Sequence, residues 1–163
     1  MKRLLLLILV GILCLAMVGC GTKEPAWVQH TYQDLTISLP ENFIDLSRED
    51  FAAGMDFLQG LDPIAVNGLR EEKSLLAQYG LEPDLQTYAQ LVISANELIV
   101  SLEEKDNIPY FTYEATAECV SYTYVVTLWE SQEAFWSVQS YCPTADYPAA
   151  KDTMWTILKS VKV

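Results

Sequence analysis

The chain has 163 residues, of which 22 are acidic and 10 are basic, so its net charge at neutral pH is −12. Hydrophobic residues make up 51% of the chain and aromatic residues 11%, which is enough for one core and excludes disorder over most of the length. Phosphate contacts need clusters of lysine and arginine, and because this acidic chain has none we exclude nucleic-acid binding.

The first residues have the layout of a secretory signal peptide. Lys2 and Arg3 give a positive start, an apolar run extends from Leu4 to Val18, and small residues follow. A membrane-spanning helix needs about 20 apolar residues, and this run is shorter. We therefore predict that residues 1–19 are a signal peptide; an uncleaved signal anchor or a plain, non-lipoprotein signal peptide is the alternative.

The segment Met17-Val18-Gly19-Cys20 resembles the lipobox of bacterial lipoproteins, with Met17 in place of the usual Leu. The resemblance implies that Cys20 is diacylated through its sulfur and becomes the mature N-terminus. Two or three acyl chains anchor a protein stably. We therefore expect a lipid-anchored protein on the extracytoplasmic face of the cell membrane.

The chain after the signal peptide divides into a tether and one domain. Without residues 1–19 it keeps 8 basic and 22 acidic side chains, a net charge of −14. Gly21 to Pro25 is small and polar, the composition of a linker. We predict that residues 20–31 are the lipidated cysteine and a short tether, and that residues 32–163 form a single globular domain.

The first half of the domain predicts strands. Leu35, Ile37 and Leu39 alternate with polar neighbours, as in a half-buried strand. A turn at 40–42 is expected to let residues 43–46 pair back with this strand. Two apolar runs, at 52–58 and 64–69, predict a hairpin across Gly60-Leu61-Asp62-Pro63, with a helix over 47–58 as the alternative.

Two helices follow. Residues 71–79 predict a short helix ended by Gly80, which suits a left-handed cap. The clearest helix runs from Asp84 to about Leu98, with Asp84 as its N-cap. Its apolar residues follow helical spacing and form one stripe of Leu85, Tyr88, Leu91, Val92, Ala95 and Leu98.

The second half predicts three long strands, at 110–116, 120–129 and 134–141. A helix then begins between Thr144 and Pro148, with a stripe that includes Met154 and Leu158, and Val161 and Val163 look like a last short strand. Both faces of the two last long strands are apolar or aromatic, so we expect other elements to pack on both faces of the sheet. The predicted class is α/β, an α/β/α sandwich with a central, mostly antiparallel sheet.

The order of these elements resembles a known family. A Leu-rich strand ends at Pro40, antiparallel strands follow a helix, and the chain closes with Glu130–Trp136, Tyr141-Cys142-Pro143, a helix and Ile157–Val163. This order resembles the PsbP-like domains of bacterial lipoproteins and of the photosystem II extrinsic subunit; a Ran-binding transport factor shares that fold. The resemblance covers roughly 32–163 and implies an α/β/α sandwich with mostly non-enzymatic binding roles.

Two cysteines remain once Cys14 leaves with the signal peptide and Cys20 takes lipid. If the last two long strands form a hairpin with a two-residue loop at 130–131, Cys119 lies opposite Cys142, whereas a four-residue loop places them on a diagonal of the same face. The extracytoplasmic space permits disulfides. We therefore predict a Cys119–Cys142 disulfide, with two buried free thiols as the alternative.

Motifs for catalysis are absent from the sequence. The single histidine, His30, is predicted to be a solvated linker residue, and no nucleophile motif, zinc spacing, P-loop or dinucleotide fingerprint is present. The acidic clusters at 49–50, 71–72 and 103–106 lack the order of a calcium loop and predict solvated faces. We therefore predict no catalytic residue, no metal site, no cofactor and no enzyme activity.

The leading hypothesis is a membrane-anchored extracytoplasmic lipoprotein whose domain binds a protein partner at the cell envelope, with Trp27 as a candidate interface anchor. A small-ligand or metal-ion carrier using a groove between sheet and helix is the alternative, and an enzyme of unrecognised type is the third. An exposed aromatic patch would favour the first. A pocket with converging polar groups would favour the second, and a pair of carboxylates with shifted pKa values there would favour the third.

Overall fold

The computed structural model describes residues 25–47 and 54–163. The strands in chain order are β1 (Trp27–Tyr32), β2 (Leu35–Pro40), β3 (Ile44–Asp45), β4 (Phe57–Leu61), β5 (Ile64–Glu72), β6 (Glu103–Lys105), β7 (Ile108–Ala117), β8 (Val120–Glu130) and β9 (Ala134–Pro143). The helices are α1 (Lys73–Gln78), α2 (Leu85–Ala95) and α3 (Tyr147–Lys159). The predicted three long strands, the short helix before Gly80, the helix capped by Asp84 and the closing helix are confirmed.

One antiparallel sheet organises the domain. Its seven strands lie in the order β3-β4-β5-β9-β8-β7-β6, and β1 and β2 form a separate hairpin. All pairings are antiparallel. The α/β class with an antiparallel central sheet, which the sequence predicted, is confirmed.

The two faces of the sheet carry different layers. One face, which we call the α3 face, packs Val125, Trp136 and Val138 against α3 and the β1–β2 hairpin. The opposite face, which we call the α2 face, packs Val126, Leu128 and Phe135 against α2. Alternate residues of β8 and β9 therefore enter opposite cores, which explains why both faces of these strands are apolar.

The β1–β2 hairpin differs from the prediction. Leu35–Pro40 pairs with Trp27–Tyr32 upstream of it, not with residues 43–46. Ile44 and Asp45 pair with β4 instead. The fold thus begins five residues before Tyr32, and part of the predicted tether is a strand. β1 is largely exposed, so it has no apolar face that periodicity could have detected.

The predicted hairpin around residues 61–63 is confirmed as β4 and β5, whose register pairs Leu61 with Ile64. Phe57 and Leu58 belong to β4, so the alternative helix over 47–58 is wrong for its last residues. Residues 48–53 of both predictions lie outside the described residues. A close approach explains Gly68 in β5: a Cβ there would stand 2.2 Å from Phe57 Cε1, and only glycine fits.

The β8–β9 hairpin contradicts the predicted disulfide. Its closing residues are Ser131 and Ala134, joined by a backbone hydrogen bond of 2.9 Å from Ser131 N to Ala134 O. The tip thus lies two residues beyond 130–131, and Cys142 pairs with Thr123. Cys119 lies four residues further along, roughly 13 Å at strand spacing, which is beyond disulfide reach. Both thiols are free, Cys119 exposed and Cys142 buried.

The closing segment and the described helices complete the fold. Val161 is buried, and Lys162 forms an isolated bridge to Thr36 that holds the end of the chain against β2. This single bridge replaces the predicted last strand, and Val163 is exposed. Among residues 25–47 and 54–163, no helix has the length and apolar character needed to cross a membrane.

Candidate binding groove

A groove of about 620 Å³ lies between α2 and the sheet. Its floor is formed by β5, β9, β8 and β7, and α1 with the following loop closes one side. The walls are mainly aliphatic and include Leu69, Leu76, Leu81, Leu91, Val92 and Leu98. A concave site of this size with apolar walls is typical of small-molecule binding.

The orientation of α2 creates the groove. Tyr88, Ala89 and Ile93 are the buried residues of the helix, so the packed stripe is rotated from the predicted one. Leu91 is only half-buried and Ala95 is exposed, and both line the groove. Part of the predicted apolar stripe therefore packs in the core, and the other part forms the wall of the groove.

The start of α2 is fixed by its predicted cap. Asp84 Oδ1 accepts a hydrogen bond of 2.7 Å from Thr87 N. This hydrogen bond holds the pKa of the Asp84 carboxyl below its ordinary value, as expected for an anion at a helix N-terminus. The cap sets where the first turn begins, and Tyr88 follows one turn later.

Polar groups converge at one end of the groove. Tyr88 donates a hydrogen bond of 2.5 Å from its hydroxyl to Glu71 Oε2. Its hydroxyl also lies 3.3 Å from Ser137 Oγ. Burial, followed by the hydrogen bond to Glu71, raises the pKa of Tyr88 far above its ordinary value. Tyr88 is therefore a permanent donor toward the Glu71 carboxylate at physiological pH.

A second polar pair lies further along the floor. Tyr113 donates a hydrogen bond of 3.3 Å from its hydroxyl to Gln139 Oε1. Burial, followed by the neighbouring Tyr124 and Tyr141, raises the pKa of Tyr113 to about 12. Glu71 is the one acidic residue lining the groove, and no lysine, arginine or histidine of the described chain lines it.

Where the groove ends, the same sheet face continues as a row of tyrosines, which we call the tyrosine ladder: Tyr113, Tyr124, Tyr141 and Tyr122. The first three lie directly opposite one another on β7, β8 and β9. Ring centroids are 4.6 Å apart for Tyr113 and Tyr124 and 4.9 Å for Tyr124 and Tyr141. All four are half-buried, so the ladder is a stacked, partly exposed aromatic surface.

An apolar hollow of about 370 Å³ adjoins the ladder at its Tyr122–Tyr141 end. Ile44, Leu61 and Pro143 contribute to its lining. Ile44 is 61% exposed, which is unusual for an isoleucine with apolar neighbours. The ladder and the hollow together form a partly exposed patch of aromatic and apolar side chains on one face of the sheet.

A third cluster, at the opposite side of the sheet, is structural. Asp34 accepts hydrogen bonds from Trp136 Nε1 at 2.9 Å, Ser131 Oγ at 2.5 Å and Arg70 Nε at 3.2 Å. Arg70 also reaches Glu72 Oε1 at 3.1 Å. These bonds join the β1–β2 turn to the sheet, and the polar and charged groups of the cluster pair with one another.

The predicted site residues lie apart from these surfaces. Cys20 lies outside the described residues. Trp27 is 43% exposed on β1 and belongs to neither the groove nor the tyrosine ladder. His30 is a half-buried residue of β1, 6.4 Å from the Tyr32 ring between centroids, so its placement in a solvated linker is wrong. Within the described chain no group of three or more His, Cys, Asp or Glu side chains could hold a metal ion.

Sequence reasoning missed the pair of Glu71 and Tyr88. The sequence pattern places Tyr88 in a core stripe and Glu71 at the start of a short helix. The signal that could have found Glu71 is strand alternation, because Leu69 and Glu71 share one face while Arg70 and Glu72 share the other. β5 continues through Glu72 and thereby directs Glu71 into the groove.

Comparison with known proteins adds to the fold. No protein-family model and no curated protein matches the chain. The solution structure of cyanobacterial PsbP (CyanoP) from Synechocystis sp. PCC 6803 is similar with a TM-score of 0.49 and 13% identity, covering 89% of this chain and 95% of that one. A crystal structure from Bacteroides thetaiotaomicron VPI-5482 is similar with a TM-score of 0.52 and 10% identity, covering 86% of this chain and 49% of that one.

These solved structures bear on the fold alone, because at such low identity a shared fold does not transfer a site. One of the two is named as a PsbP protein, the family that the sequence resembles. The sheet and helices of this chain itself define its class, an α/β domain built on an antiparallel sheet, with a groove and an aromatic surface on one face. What these surfaces bind is argued from their own residues.

Proposed function

We propose that this protein is a membrane-anchored extracytoplasmic lipoprotein whose domain binds a protein partner at the cell envelope through the tyrosine ladder and the adjoining hollow. The observation that carries the proposal is the ladder itself. Stacked tyrosines on a rigid sheet offer large contact area with little side-chain entropy left to lose on binding. The domain acts here by binding and not by chemical transformation.

The hollow beside the ladder supports an anchor-in-pocket mode of binding. Hot spots in protein interfaces are apolar or aromatic side chains that enter well-packed pockets. Ile44 and Leu61 are exposed at this hollow, and Tyr122 and Tyr141 form its aromatic wall. The partner would therefore insert one apolar side chain here and lay a flat surface across the ladder.

The charge of the chain favours a basic partner. The net charge is −12 for the chain and −14 without residues 1–19, and Asp62 lies at the rim of the hollow. A surface potential of one sign accelerates encounter with a partner of the opposite sign and disfavours acidic competitors. A partner with a basic rim around its apolar contact fits this surface.

Lipidation at Cys20 would keep this surface close to the membrane. Trp27, the first residue of β1, is seven residues beyond Cys20. At about 3.5 Å per residue that separation is no more than about 25 Å. A partner in or near the same membrane is therefore within reach, whereas a distant one is not.

The test is photo-crosslinking from defined positions in living cells. We would introduce p-benzoylphenylalanine at Tyr122 in the ladder and, as the control, at Lys151 on α3, which is exposed on the opposite layer. The proposal expects one protein captured from Tyr122 and not from Lys151. Ile44→Asp should abolish the capture, whereas Ile99→Asp, the same change at a fully exposed site elsewhere, should not. Identical products from both probe positions would refute it.

The groove favours a second function, the carriage of a small ligand. Its volume of about 620 Å³ lies within the range of small-molecule sites, and polar groups converge in it at Glu71, Tyr88 and Ser137. This function uses side chains other than the anchor residues of the hollow, so the two are tested separately.

A further inference from the structure

We infer that the groove beside α2 binds a small amphiphile with an apolar body and a protonated amine, and that Glu71 receives the amine. This inference rests on ligand carriage, the second function above, and does not depend on the partner surface. It specifies the chemistry of the ligand through the charge, the hydrogen bonds and the wall of the groove.

The apolar wall of the groove indicates that the body of the ligand is apolar. Leu69, Leu81 and Leu91 stand at the groove and remain half-buried or exposed. Burying these side chains against an apolar ligand removes apolar surface from water, which favours binding. An alkyl or aryl body therefore binds the wall, whereas a sugar or a nucleotide would leave its polar groups unpaired there.

The charge of the groove sets the head group. Glu71 is the acidic residue at the groove, and no basic side chain of the described part lines it. The nearest cations along β5 and α1 are committed elsewhere: Arg70 pairs with Asp34 and Glu72, and Lys73 with Glu130. A carboxylate beside apolar walls attracts a cation and repels an anion more strongly than it would in water.

The hydrogen bonds of Glu71 leave room for the head group. Tyr88 occupies Oε2, and no hydrogen bond within the described residues reaches Oε1. A carboxylate has about four acceptor sites on its two oxygens, so Oε1 can accept from an ammonium. Tyr88, whose hydroxyl also lies 3.3 Å from Ser137 Oγ, holds the carboxylate in place, which removes part of the ordering cost of binding.

The test compares three ligands that share one chain and differ only in the head: dodecylammonium, dodecanol and dodecanoate. Calorimetry with the full-length lipoprotein in detergent-free nanodiscs, at physiological salt, measures each Kd. We expect dodecylammonium to bind about tenfold more tightly than dodecanol, the effect of one charge-assisted hydrogen bond. Dodecanoate should bind most weakly of the three.

Two pairs of matched variants locate the effect. Glu71→Gln should remove the tenfold preference for the amine, whereas Glu114→Gln makes the same charge change at an exposed strand position and should preserve it. Leu91→Trp fills the groove and should abolish binding of all three ligands. Leu75→Trp, at an exposed position of α1 outside the groove, should leave binding intact.

The outcomes separate the inference from the function on which it rests. If the three ligands have equal Kd values and Leu91→Trp abolishes their binding, the role of Glu71 is overturned while ligand carriage by the groove is supported. Binding that survives Leu91→Trp or shows no saturation would overturn the groove as the site. A preference for the amine that persists in Glu71→Gln would show membrane or surface charge alone and would overturn the inference.

Discussion

Asp34 joins two layers of the fold through a single carboxylate. It lies in the β1–β2 turn, yet it accepts the indole proton of Trp136, a fully buried residue of the sheet. Arg70, whose side chain is 8% exposed, binds the same oxygen. Removing the carboxylate would leave a buried N–H donor and a nearly buried cation with weaker partners, which is costly.

We therefore expect Asp34→Asn to lower the free energy of unfolding by about 2 kcal/mol at pH 7, the usual range for hydrogen bonds to a charged group. Urea unfolding followed by tryptophan fluorescence measures the change. Asp152→Asn, at an exposed position of α3, is the matched control and should change it by less than about 0.5 kcal/mol. Equal effects of the two variants would contradict the role of Asp34.

The same carboxylate predicts a dependence on pH. Burial acts to raise the pKa of Asp34, but hydrogen bonds from Ser131, Trp136 and Arg70 outweigh it and hold the pKa below its ordinary value. A lowered folded-state pKa contributes stability above the unfolded value, near 4, that is lost as the pH falls through the folded value. The difference in unfolding free energy between wild type and Asp34→Asn should thus narrow below about pH 4; a constant difference from pH 7 to pH 3 would contradict it.

The two described cysteines differ in environment, and this gives a residue-scale test of the hairpin register. Cys119 is exposed in the β7–β8 turn, and Cys142 is buried with its Sγ 3.7 Å from Met154 Sδ. Burial also raises the pKa of the Cys142 thiol, so less of the reactive thiolate forms. Without reductant, we expect Cys119 to be alkylated in the native protein and Cys142 only after unfolding, as read by mass spectrometry. Resistance of both thiols until reduction would restore the disulfide and refute the register.

At the scale of elements, α2 is the component on which the groove depends. It approaches the sheet through Ala89, which is fully buried, and Tyr88 stacks on Phe135 with centroids 4.4 Å apart. A small residue at this point lets the helix lie close, so that its other flank overhangs β5 and β9. The width of the groove is therefore set by the core contact and not by the groove residues themselves.

Ala89→Leu should lower the free energy of unfolding by about 1–3 kcal/mol, because extra methylenes in a packed core force the helix outward. It should also weaken dodecylammonium binding, since the wall moves with the helix. Gln90→Leu, the same new side chain at the exposed neighbouring position, should do neither. Urea unfolding and calorimetry on both variants provide the two readouts, and unaltered stability of Ala89→Leu would contradict the close packing.

Elements with a regular apolar pattern could be predicted from sequence, and those without one could not. The long strands β8 and β9 carry apolar or aromatic side chains on both faces, and α2 and α3 carry stripes at helical spacing. β1 has a largely exposed pattern and is held by its pairing with β2 and by Tyr32, which stacks on Phe57. Local sequence also misplaced the β8–β9 turn, because Ser131 Oγ accepts a hydrogen bond of 3.0 Å from Ala134 N and so moves the tip by two residues.

The groove could be predicted only in part, for a reason of geometry. Its existence between sheet and helix was the alternative hypothesis, and its apolar wall comes from the stripe of α2. Its polar end required knowing that β5 continues through Glu72 and that Tyr88 lies one helical turn beyond Asp84. The contact between Glu71 and Tyr88 joins β5 to α2 across α1 and a loop. No periodicity within one element encodes such a contact.

At the scale of the whole molecule, the net charge of the chain opposes attachment to an anionic membrane, whereas the proposed lipid tether would favour it. Without residues 1–19 the chain carries −14, and anionic headgroups repel it within a screening length of about 8 Å at physiological salt. The charge gives no attraction to an anionic membrane, so the attachment proposed above would rest on lipid at Cys20. Lipid on Cys20 would contribute about 0.8 kcal/mol for each buried methylene, which over two acyl chains greatly exceeds such screened repulsion.

The proposed lipidation would make Cys20 the residue that determines the location of the protein. With radiolabelled palmitate, we expect the wild-type chain to take up label and to sediment with membranes, resisting extraction by high salt because acyl chains and not charge hold it. Cys20→Ser should lose the label, and Cys119→Ser should retain it, since Cys119 follows the folded strand β7. If Cys20→Ser sediments without label, residues 1–19 persist as an uncleaved anchor. Equal label in wild type and Cys20→Ser would refute lipidation at this residue, and with it the limit of about 25 Å that lipid there would place between the membrane and Trp27.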